Sequence, residues 1–192
     1  YDKVVVIDAG HGSRAAGAVK LGVSEKDIDL DILLQLKKLF DACPDNIGVY
    51  YTRTTDTNPT LDQRVQLANK ADADIFISIH NNSSATGNFT QTSGTQVMYS
   101  ESDDSELSSK KLAKICLNAV SKSFDSYNRG LLEGDSIYII RTSKVPVALI
   151  EVGFMTNYDE LDKLKSPKYQ KKAAQGIYNA VSYTHLTLPT IL

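Results

Sequence analysis

The chain has 192 residues, enough for one domain with a substantial core, and it carries a formal net charge of −2 with a pI near 5.9. Its 42% apolar and 23% charged residues are ordinary for a globular protein, and the slight acidic balance argues against a nucleic acid binder, which usually has a basic excess. No apolar run approaches the roughly 20 residues that a transmembrane helix needs.

The first quarter of the chain predicts a strand, a helix and a second strand. Val4 to His11 is an apolar run typical of a buried strand, and a Gly-rich loop from Gly10 to Gly22 follows it. Ser24 to Asp27 has the pattern of a capping box, with Ser24 as the N-cap of an amphipathic helix. Ile47 to Thr52, rich in β-branched and aromatic residues, predicts a short strand.

The middle of the chain repeats this alternation of helices and strands. Thr60 to Gln63 is another capping box and opens the second helix. Asp74 to His80 predicts a buried strand, and the polar stretch from Asn81 to Ser93 predicts a loop at the end of that strand. A strand over Thr95 to Tyr99 and an amphipathic helix around Leu112 to Val120 come next.

The last part of the chain predicts two strands, over Ser136 to Ile140 and over Pro146 to Glu151, and a closing helix with an apolar stripe from Ala173 to Val181. Apolar strands that alternate with helices predict an α/β domain around a mostly parallel sheet with both faces buried.

The start of the chain and its last eleven residues carry predictions of their own. Because it begins at Tyr1 without Met or a signal peptide, we expect a mature or shortened form. Residues 182–192 break the helical pattern and contain a Pro, so we expect a non-native or disordered tail and place the catalytic domain at residues 1–181. His185 lies in this tail and is excluded as a ligand. Without a Cys-rich framework, Cys43 and Cys116 are expected to be thiols.

Two histidines and two acids stand where a metal site could form. His11, His80 and Glu151 each end a predicted strand, and Glu25 opens a helix. Because the carboxyl ends of parallel strands form the crevice in which α/β proteins bind ligands, we expect these side chains to meet at one edge of the sheet. Catalytic zinc keeps three protein ligands, commonly histidine and carboxylate, and an open position. The four residues therefore predict a metal site with a catalytic carboxylate beside it.

Each of these residues also has a plainer explanation. A single His after a strand is more often structural than a ligand, and the helix macrodipole alone favours an acid at Glu25. Glu151 is harder to explain in this way, because burial of an unpaired acid is costly, so it needs a cation, a hydrogen-bond partner or a role in proton transfer. A phosphate loop and a serine nucleophile are poorly supported, since the sequence has no GxGxxG, GxxxxGK[ST] or GxSxG.

Six segments, in the same order, resemble the zinc-dependent N-acetylmuramoyl-L-alanine amidases of bacterial cell walls (amidase type 3). They are VVIDAGHG (Val5 to Gly12), SEKD (Ser24 to Asp27), TRTTD (Thr52 to Asp56), ISIHNNS (Ile77 to Ser83), NRG (Asn128 to Gly130) and IEVGFMTN (Ile150 to Asn157). The set covers nearly the whole chain through about Val181 and is far more specific than any single segment.

The resemblance implies a single α/β domain with a twisted, mostly parallel six-stranded sheet flanked by helices on both faces. It implies that His11, Glu25 and His80 bind one Zn²⁺, that Glu151 is the catalytic carboxylate and that Asn82 contacts the substrate. The family cleaves the amide between the lactyl group of N-acetylmuramic acid and L-alanine of the stem peptide.

Some other positions also match the family, and some differ from it. Arg53 and Arg64 match family positions, where we expect them to fix loops and helix packing. Ser13 and Ala15 replace a Gly and an Asp that usually follow GHG in the family, so we expect this loop to differ in detail while no ligand position is changed. No long insertion resembling an autoinhibitory helix separates Asn82 from Asn128, which predicts an open groove.

The predicted function is hydrolysis of peptidoglycan by zinc-activated water, with Glu151 as the base. Two alternatives stay open: a zinc peptidase that cuts within the stem peptide, and a peptidoglycan-binding module without catalysis. We expect an exported monomer of the extracellular space or the cell wall, whose signal or anchor lies outside the given sequence. Its predicted partner is the peptidoglycan substrate, without nucleic acid, and any activating protein is still to be identified.

Overall fold

A computed structural model describes residues 1–187 of the chain. Its elements, in chain order, are β1 (Lys3–Ala9), β2 (Val19–Lys20), β3 (Val23–Ser24), α1 (Glu25–Asp41), β4 (Ile47–Tyr51), α2 (Leu61–Lys70), β5 (Ile75–Asn82), β6 (Thr95–Tyr99), α3 (Ser109–Phe124), β7 (Asn128–Glu133), α4 (Tyr138–Thr142), β8 (Val147–Phe154), α5 (Tyr158–Leu164) and α6 (Pro167–Thr187). None of the helices in this range combines the length and the apolar content that a membrane span requires.

The central sheet has six strands in the order β4-β1-β5-β8-β6-β7. The first four are parallel to one another, β6 is antiparallel to β8, and β7 is parallel to β6. The predicted six-stranded, mostly parallel sheet is therefore confirmed. The carboxyl ends of β1, β5 and β8 lie side by side at one edge, which we call the catalytic edge.

Two layers of helices bury the two faces of the sheet. The larger layer consists of α1, α3 and α6. Helix α1 packs on β1 and β5, α3 packs on β6 and β8, and α6 packs against α1 and α3 within the same buried cluster. On the opposite face, α2 and α4 cover a smaller cluster that contains Val6, Phe76 and Leu149. Because successive strand residues point to opposite faces, strands buried on both sides read as continuous apolar runs in the sequence.

In the central sheet one predicted strand is wrong and one strand was missed, and the short hairpin β2–β3 was also not predicted. Ser136 to Ile140 overlaps helix α4, in which Ile139 and Ile140 are both buried against the smaller cluster. A short apolar run fits a buried helix turn as well as a strand, so periodicity could not separate the two. The sixth strand is β7 instead, an edge strand that buries little of its surface and therefore has a weak apolar pattern.

The two predicted capping boxes have different outcomes. Thr60 accepts a hydrogen bond from Gln63 N (3.1 Å), and the Gln63 side chain accepts one from Thr60 N (2.9 Å), so this box is confirmed. Ser24 is the N-cap of α1, as predicted, but its side chain makes no capping bond within residues 1–187. The preceding hairpin β2–β3 already fixes the entry of the chain into α1, because Val19 pairs with Ser24.

The closing helix is longer than its apolar stripe predicted. Helix α6 continues to Thr187, and Thr184 is fully buried, with its carbonyl oxygen accepting a hydrogen bond from Lys3 Nζ (3.2 Å). The predicted boundary at 181 thus falls inside a helix, and residues 188–192 lie outside the described residues. The non-native origin of the tail stays a prediction. Cys43 and Cys116 are free thiols, as expected.

Candidate metal centre

Three of the predicted site residues meet at the catalytic edge. Glu25 begins α1, His11 follows β1 and His80 lies near the end of β5. His11 Nε2 and His80 Nδ1 each lie 3.1 Å from the same oxygen of Glu25, Oε1, and the two imidazole rings are 5.0 Å apart between centroids. Residues separated by up to 69 positions in the sequence thus share one carboxylate oxygen.

Backbone donors hold the Glu25 carboxylate in place. Oε2 accepts a hydrogen bond from Ala18 N (2.9 Å), and Oε1 accepts one from Asn81 N (3.1 Å). Burial alone would raise the pKa of Glu25, but its contacts with His11 and His80 outweigh burial and hold the pKa well below its ordinary value. Glu25 is therefore an ionised, oriented carboxylate at neutral pH.

The Gly-rich loop allows this close approach. A Cβ at Gly10 would lie 2.2 Å from the His80 ring, and a Cβ at Gly17 would lie 2.4 Å from Glu25 Oε2, so larger residues would displace two of the three candidate ligands. His11 itself has φ 58°, a left-handed conformation that a non-glycine residue adopts at a cost of about 1–3 kcal/mol. Such strain persists where the surrounding structure imposes it, and it is common at functional sites.

The two predicted arginines, Arg53 and Arg64, hold His11 in this strained conformation. They donate hydrogen bonds to the backbone carbonyl groups of residues 9–11. Arg53 donates from Nε to Ala9 O (2.9 Å) and from Nη2 to Gly10 O (2.7 Å). Arg64 donates from Nη1 to Ala9 O (2.6 Å) and from Nη2 to His11 O (2.7 Å). Both arginines are almost fully buried and fix the loop, as predicted from the sequence.

Glu151 lies one strand away from His80. The two residues are register partners in the β5–β8 ladder, and Gln96 is the partner of Glu151 on the other side. Burial raises the pKa of Glu151 to about 7, with a further contribution from Glu25, although the nearby His80 opposes the shift. Its Oε2 is buried without a hydrogen-bond partner in the described part of the chain. A carboxylate with a pKa near neutrality and a free oxygen suits proton transfer.

Asp29 belongs to the same group, and sequence reasoning missed it. The ligand atoms of His11, Glu25, Asp29 and His80 all lie within 4.8 Å of one another. Asp29 is fully buried and accepts a hydrogen bond from Asn81 Nδ2 (2.9 Å), while its Oδ2 finds no partner among residues 1–187. The available signal was an acid on the apolar face of α1, one turn after Glu25.

Asn82, the predicted substrate contact, ends β5 at a register irregularity. Its side-chain oxygen accepts a hydrogen bond from Ser83 N (2.9 Å), and its backbone oxygen accepts one from Met155 N (2.7 Å). The side chain is partly exposed at the catalytic edge. The role of Asn82 as a substrate contact stays a prediction.

The donor set fits a divalent metal ion. It offers two imidazole nitrogens and carboxylate oxygens, which are established zinc ligands, and the buried oxygens of Asp29 and Glu151 without partners indicate a surplus of negative charge. A cleft of about 330 Å³ reaches His11 and His80 from the side of α2 and α4, and Asn58, Pro59, Leu61 and Ile139 line its far wall. A substrate can therefore approach the site from solvent.

Comparison with known proteins agrees with the resemblance. The sequence model of the N-acetylmuramoyl-L-alanine amidase family matches residues 5–183. The chain is 38% identical to the protein YqiI of Bacillus subtilis over 180 residues, which covers 93% of this chain and 83% of YqiI. It is 32% identical to the N-acetylmuramoyl-L-alanine amidase LytC of the same species, covering 94% of this chain and only 35% of LytC.

A solved structure shows the same fold. The CwlD amidase from Clostridioides difficile, whose structure was solved in complex with the GerS lipoprotein, superposes with a TM-score of 0.86 at 29% identity. The match covers 97% of this chain and 100% of CwlD. The whole fold, including the strands that form the catalytic edge, is therefore shared.

Proposed function

Because the chain belongs to the N-acetylmuramoyl-L-alanine amidase family and is a peptidoglycan hydrolase, we propose that it works with one Zn²⁺ bound by His11, Glu25 and His80. The observation that carries this proposal is the approach of both imidazole nitrogens to one oxygen of Glu25. Two histidines and one glutamate are an established ligand set of catalytic zinc.

Asp29 is better suited to a supporting role than to direct binding. Asp29 lies one helical turn after Glu25 and accepts a hydrogen bond from the side-chain amide of Asn81. The backbone N–H of the same Asn81 donates a hydrogen bond to Glu25. Outer partners of this kind orient the residues that bind the metal and tune its affinity. The proposed ligand set therefore stays at three residues.

A bound zinc ion would polarise the scissile carbonyl and make water more acidic. The protein's own contribution to the chemistry is proton transfer by Glu151. We assign its free Oε2 as the acceptor of the proton from the attacking water and later as the donor of that proton to the nitrogen of L-alanine, as the amide C–N bond breaks. A pKa near 7 allows both steps.

The setting of this activity is also proposed. We place the catalytic machinery within residues 1–181, assign Asn82 as a substrate contact at the rim and expect the enzyme to act as a monomer outside the cell or in the cell wall. The complex of the CwlD amidase with the GerS lipoprotein supports the proposal that a partner protein activates this chain.

The test is digestion of purified peptidoglycan, with mass spectrometry of the released fragments and metal analysis of the protein. Wild type should release intact stem peptides with a free L-alanine amine and lose this activity with a chelator. Glu151→Gln should retain zinc and lose about 10²- to 10⁴-fold in rate, the usual contribution of a general base. Glu133→Gln, an exposed acid on β7, is the matched control and should remain fully active.

His80→Ala should lose the bound zinc, whereas His185→Ala, which changes the only remaining histidine besides His11, should keep it. Full zinc content in the His80 variant would refute the ligand set. Cuts inside the stem peptide would favour the peptidase alternative, and binding without any product would favour a non-catalytic module.

A further inference from the structure

The outer surface formed by α3 and α6 has an unusual charge. Neither helix contains an Asp or Glu, yet together they carry seven lysines: Lys110, Lys111, Lys114 and Lys122 on α3, and Lys168, Lys171 and Lys172 on α6. In a chain whose net charge is −2, this concentration of one sign on two adjacent helices makes a local cationic surface.

A groove runs between these helices. They approach each other closely at Gly176, where a Cβ would lie only 2.8 Å from Val120 Cα, and the groove is lined by α3 residues between 111 and 123 and by α6 residues between 179 and 183. The resulting space has a volume of about 880 Å³, with an apolar floor of Ile115, Ala119 and Ala180. Asn118 on α3 and Asn179 and Tyr183 on α6 add polar atoms to its walls.

Three lysines line one wall of the groove, namely Lys111, Lys114 and Lys122. Positions three and eleven residues apart return to the same helix face, so these ammonium groups form a row that spans roughly 16 Å at 1.5 Å per residue. All three side chains are exposed, and none forms a salt bridge with another residue of the described range. Lys111 donates only to the carbonyl of Glu106 (2.8 Å).

The groove is separate from the metal centre. Ser109, at the start of α3, accepts a hydrogen bond at Oγ from Val147 N (2.9 Å). Val147 begins β8, at the edge of the sheet opposite the catalytic edge. The end of α6 lies at that same edge, where Thr184 contacts Lys3. A ligand in this groove would therefore lie on the outer face of the helix layer and leave the cleft at His11 and His80 open.

We propose that the groove binds a linear polyanion made of phosphodiester-linked polyols, an anionic polymer of the cell wall. A row of unpaired ammonium groups matches a chain with evenly repeated phosphates, and the binding energy of several weak contacts adds up along one polymer. The apolar floor suits the methylene groups of the polyol, and the two asparagines suit its hydroxyl groups. Nucleic acid would call for arginines and stacking aromatic rings, whereas the groove offers lysines and one tyrosine.

The inference rests on the proposed function only for the location of the enzyme. A cationic groove that holds a polymer of the cell wall would keep a hydrolase at its insoluble substrate between cuts. Hydrolysis of a small soluble muropeptide would not require the groove.

The test is binding of a fluorescent 1,3-linked glycerol phosphate oligomer of about ten units, measured by anisotropy in low salt and again at physiological salt. Wild type should bind, with an affinity that falls as salt rises. The variant Lys111→Gln/Lys114→Gln/Lys122→Gln should bind at least about tenfold more weakly. The control Lys38→Gln/Lys70→Gln/Lys144→Gln makes the same change in net charge at exposed sites outside the groove and outside α3 and α6, and should bind as wild type does.

Both triple variants should cleave a soluble muropeptide at the wild-type rate, and Glu151→Gln should bind the oligomer normally. Failure of the proposed function would appear in those hydrolysis rates, whereas failure of this inference would appear only in oligomer binding. Equal loss in the two triple variants, or no binding by wild type, would overturn the proposal. So would stronger binding to vesicles of anionic phospholipid or to single-stranded DNA than to the oligomer.

Discussion

Two buried polar clusters adjoin each other at the catalytic edge, and they differ in how their charges are balanced. The arginine cluster consists of Asp8, Arg53 and Arg64. Asp8 accepts hydrogen bonds from Arg64 (2.7 Å), Thr52 (2.6 Å) and Ser78 (2.6 Å), and although burial alone would raise its pKa, these contacts hold it below the ordinary value. Both carboxylate oxygens of Asp8 thereby accept hydrogen bonds, and the negative charge of this cluster is balanced by its own arginines.

The histidine cluster consists of His11, Glu25, Asp29, His80 and Glu151. It brings three carboxylates together without an arginine or lysine among its members, and the oxygens Asp29 Oδ2 and Glu151 Oε2 lack partners within the described residues. Burial and neighbouring acids raise the pKa of Asp29 well above its ordinary value. The comparison shows that burial alone does not mark a functional site. Buried carboxylate oxygens that lack a partner, and so favour the binding of a cation, are the better indicator of such a site.

The largest expected effect on stability comes from breaking the arginine cluster. Arg64→Met should lower the free energy of unfolding by about 3–5 kcal/mol, because it leaves Asp8 buried and ionised without its cation. It should also release the carbonyl of His11 and reduce zinc content. Urea denaturation and metal analysis measure the two consequences.

The matched control for that variant is Lys37→Met, which breaks an exposed ion pair with Asp41 on α1 and should cost less than about 1 kcal/mol. Adding Asp8→Asn to Arg64→Met should recover part of the lost stability, since no unpaired charge then remains buried. An equal loss from the exposed and the buried pair would contradict the contrast between them.

The second prediction concerns pH and isolates the histidine cluster. In the metal-free protein, burial raises the pKa of Glu151 from 4.5 to about 7, so between these values the folded state keeps a proton that the unfolded chain has released. The contribution of Glu151 to stability should therefore be complete below about pH 4.5, fall by about 3 kcal/mol as pH rises to 7, and be absent above it. Denaturation curves at several pH values with a chelator measure this slope.

Glu151→Gln should remove the Glu151 share of that slope, whereas Asp29, whose pKa is also raised, keeps its own share. Saturating Zn²⁺ should oppose the decline in wild type, because deprotonated ligands bind the metal more tightly. A wild-type slope that persists in the Glu151 variant would assign the effect to other carboxyls.

The smallest expected effect is that of Asp29→Asn, which removes one charge from the histidine cluster and keeps the acceptor for Asn81. Zinc affinity should fall by about tenfold, as for other changes to groups that support metal ligands. The stability of the metal-free protein should rise, because a buried acid next to Glu25 is gone. Competition with a chromophoric chelator measures the affinity, and complete loss of zinc would instead make Asp29 a ligand.

Sequence reasoning was most accurate where the local pattern and the buried environment agree. The apolar runs of β1, β5 and β8 predicted both the strands and the edge at which His11, His80 and Glu151 gather. It failed where local signals are ambiguous or weak, as at Ser136 to Ile140 and at the exposed strand β7. Asp29 escaped notice because a single acid on a helix face does not reveal what lies opposite it.

Periodicity and ordered motifs are properties of the chain alone, and they were enough to predict the fold class, the family and the four residues expected to act together. Tertiary structure decided which charges are satisfied. It paired Asp8 with Arg64, left Asp29 and Glu151 with free oxygens and set the row of lysines beside an open groove. These outcomes depend on distances of a few ångströms between segments that are remote in the chain, and only packing of the sheet and its helices fixes such distances.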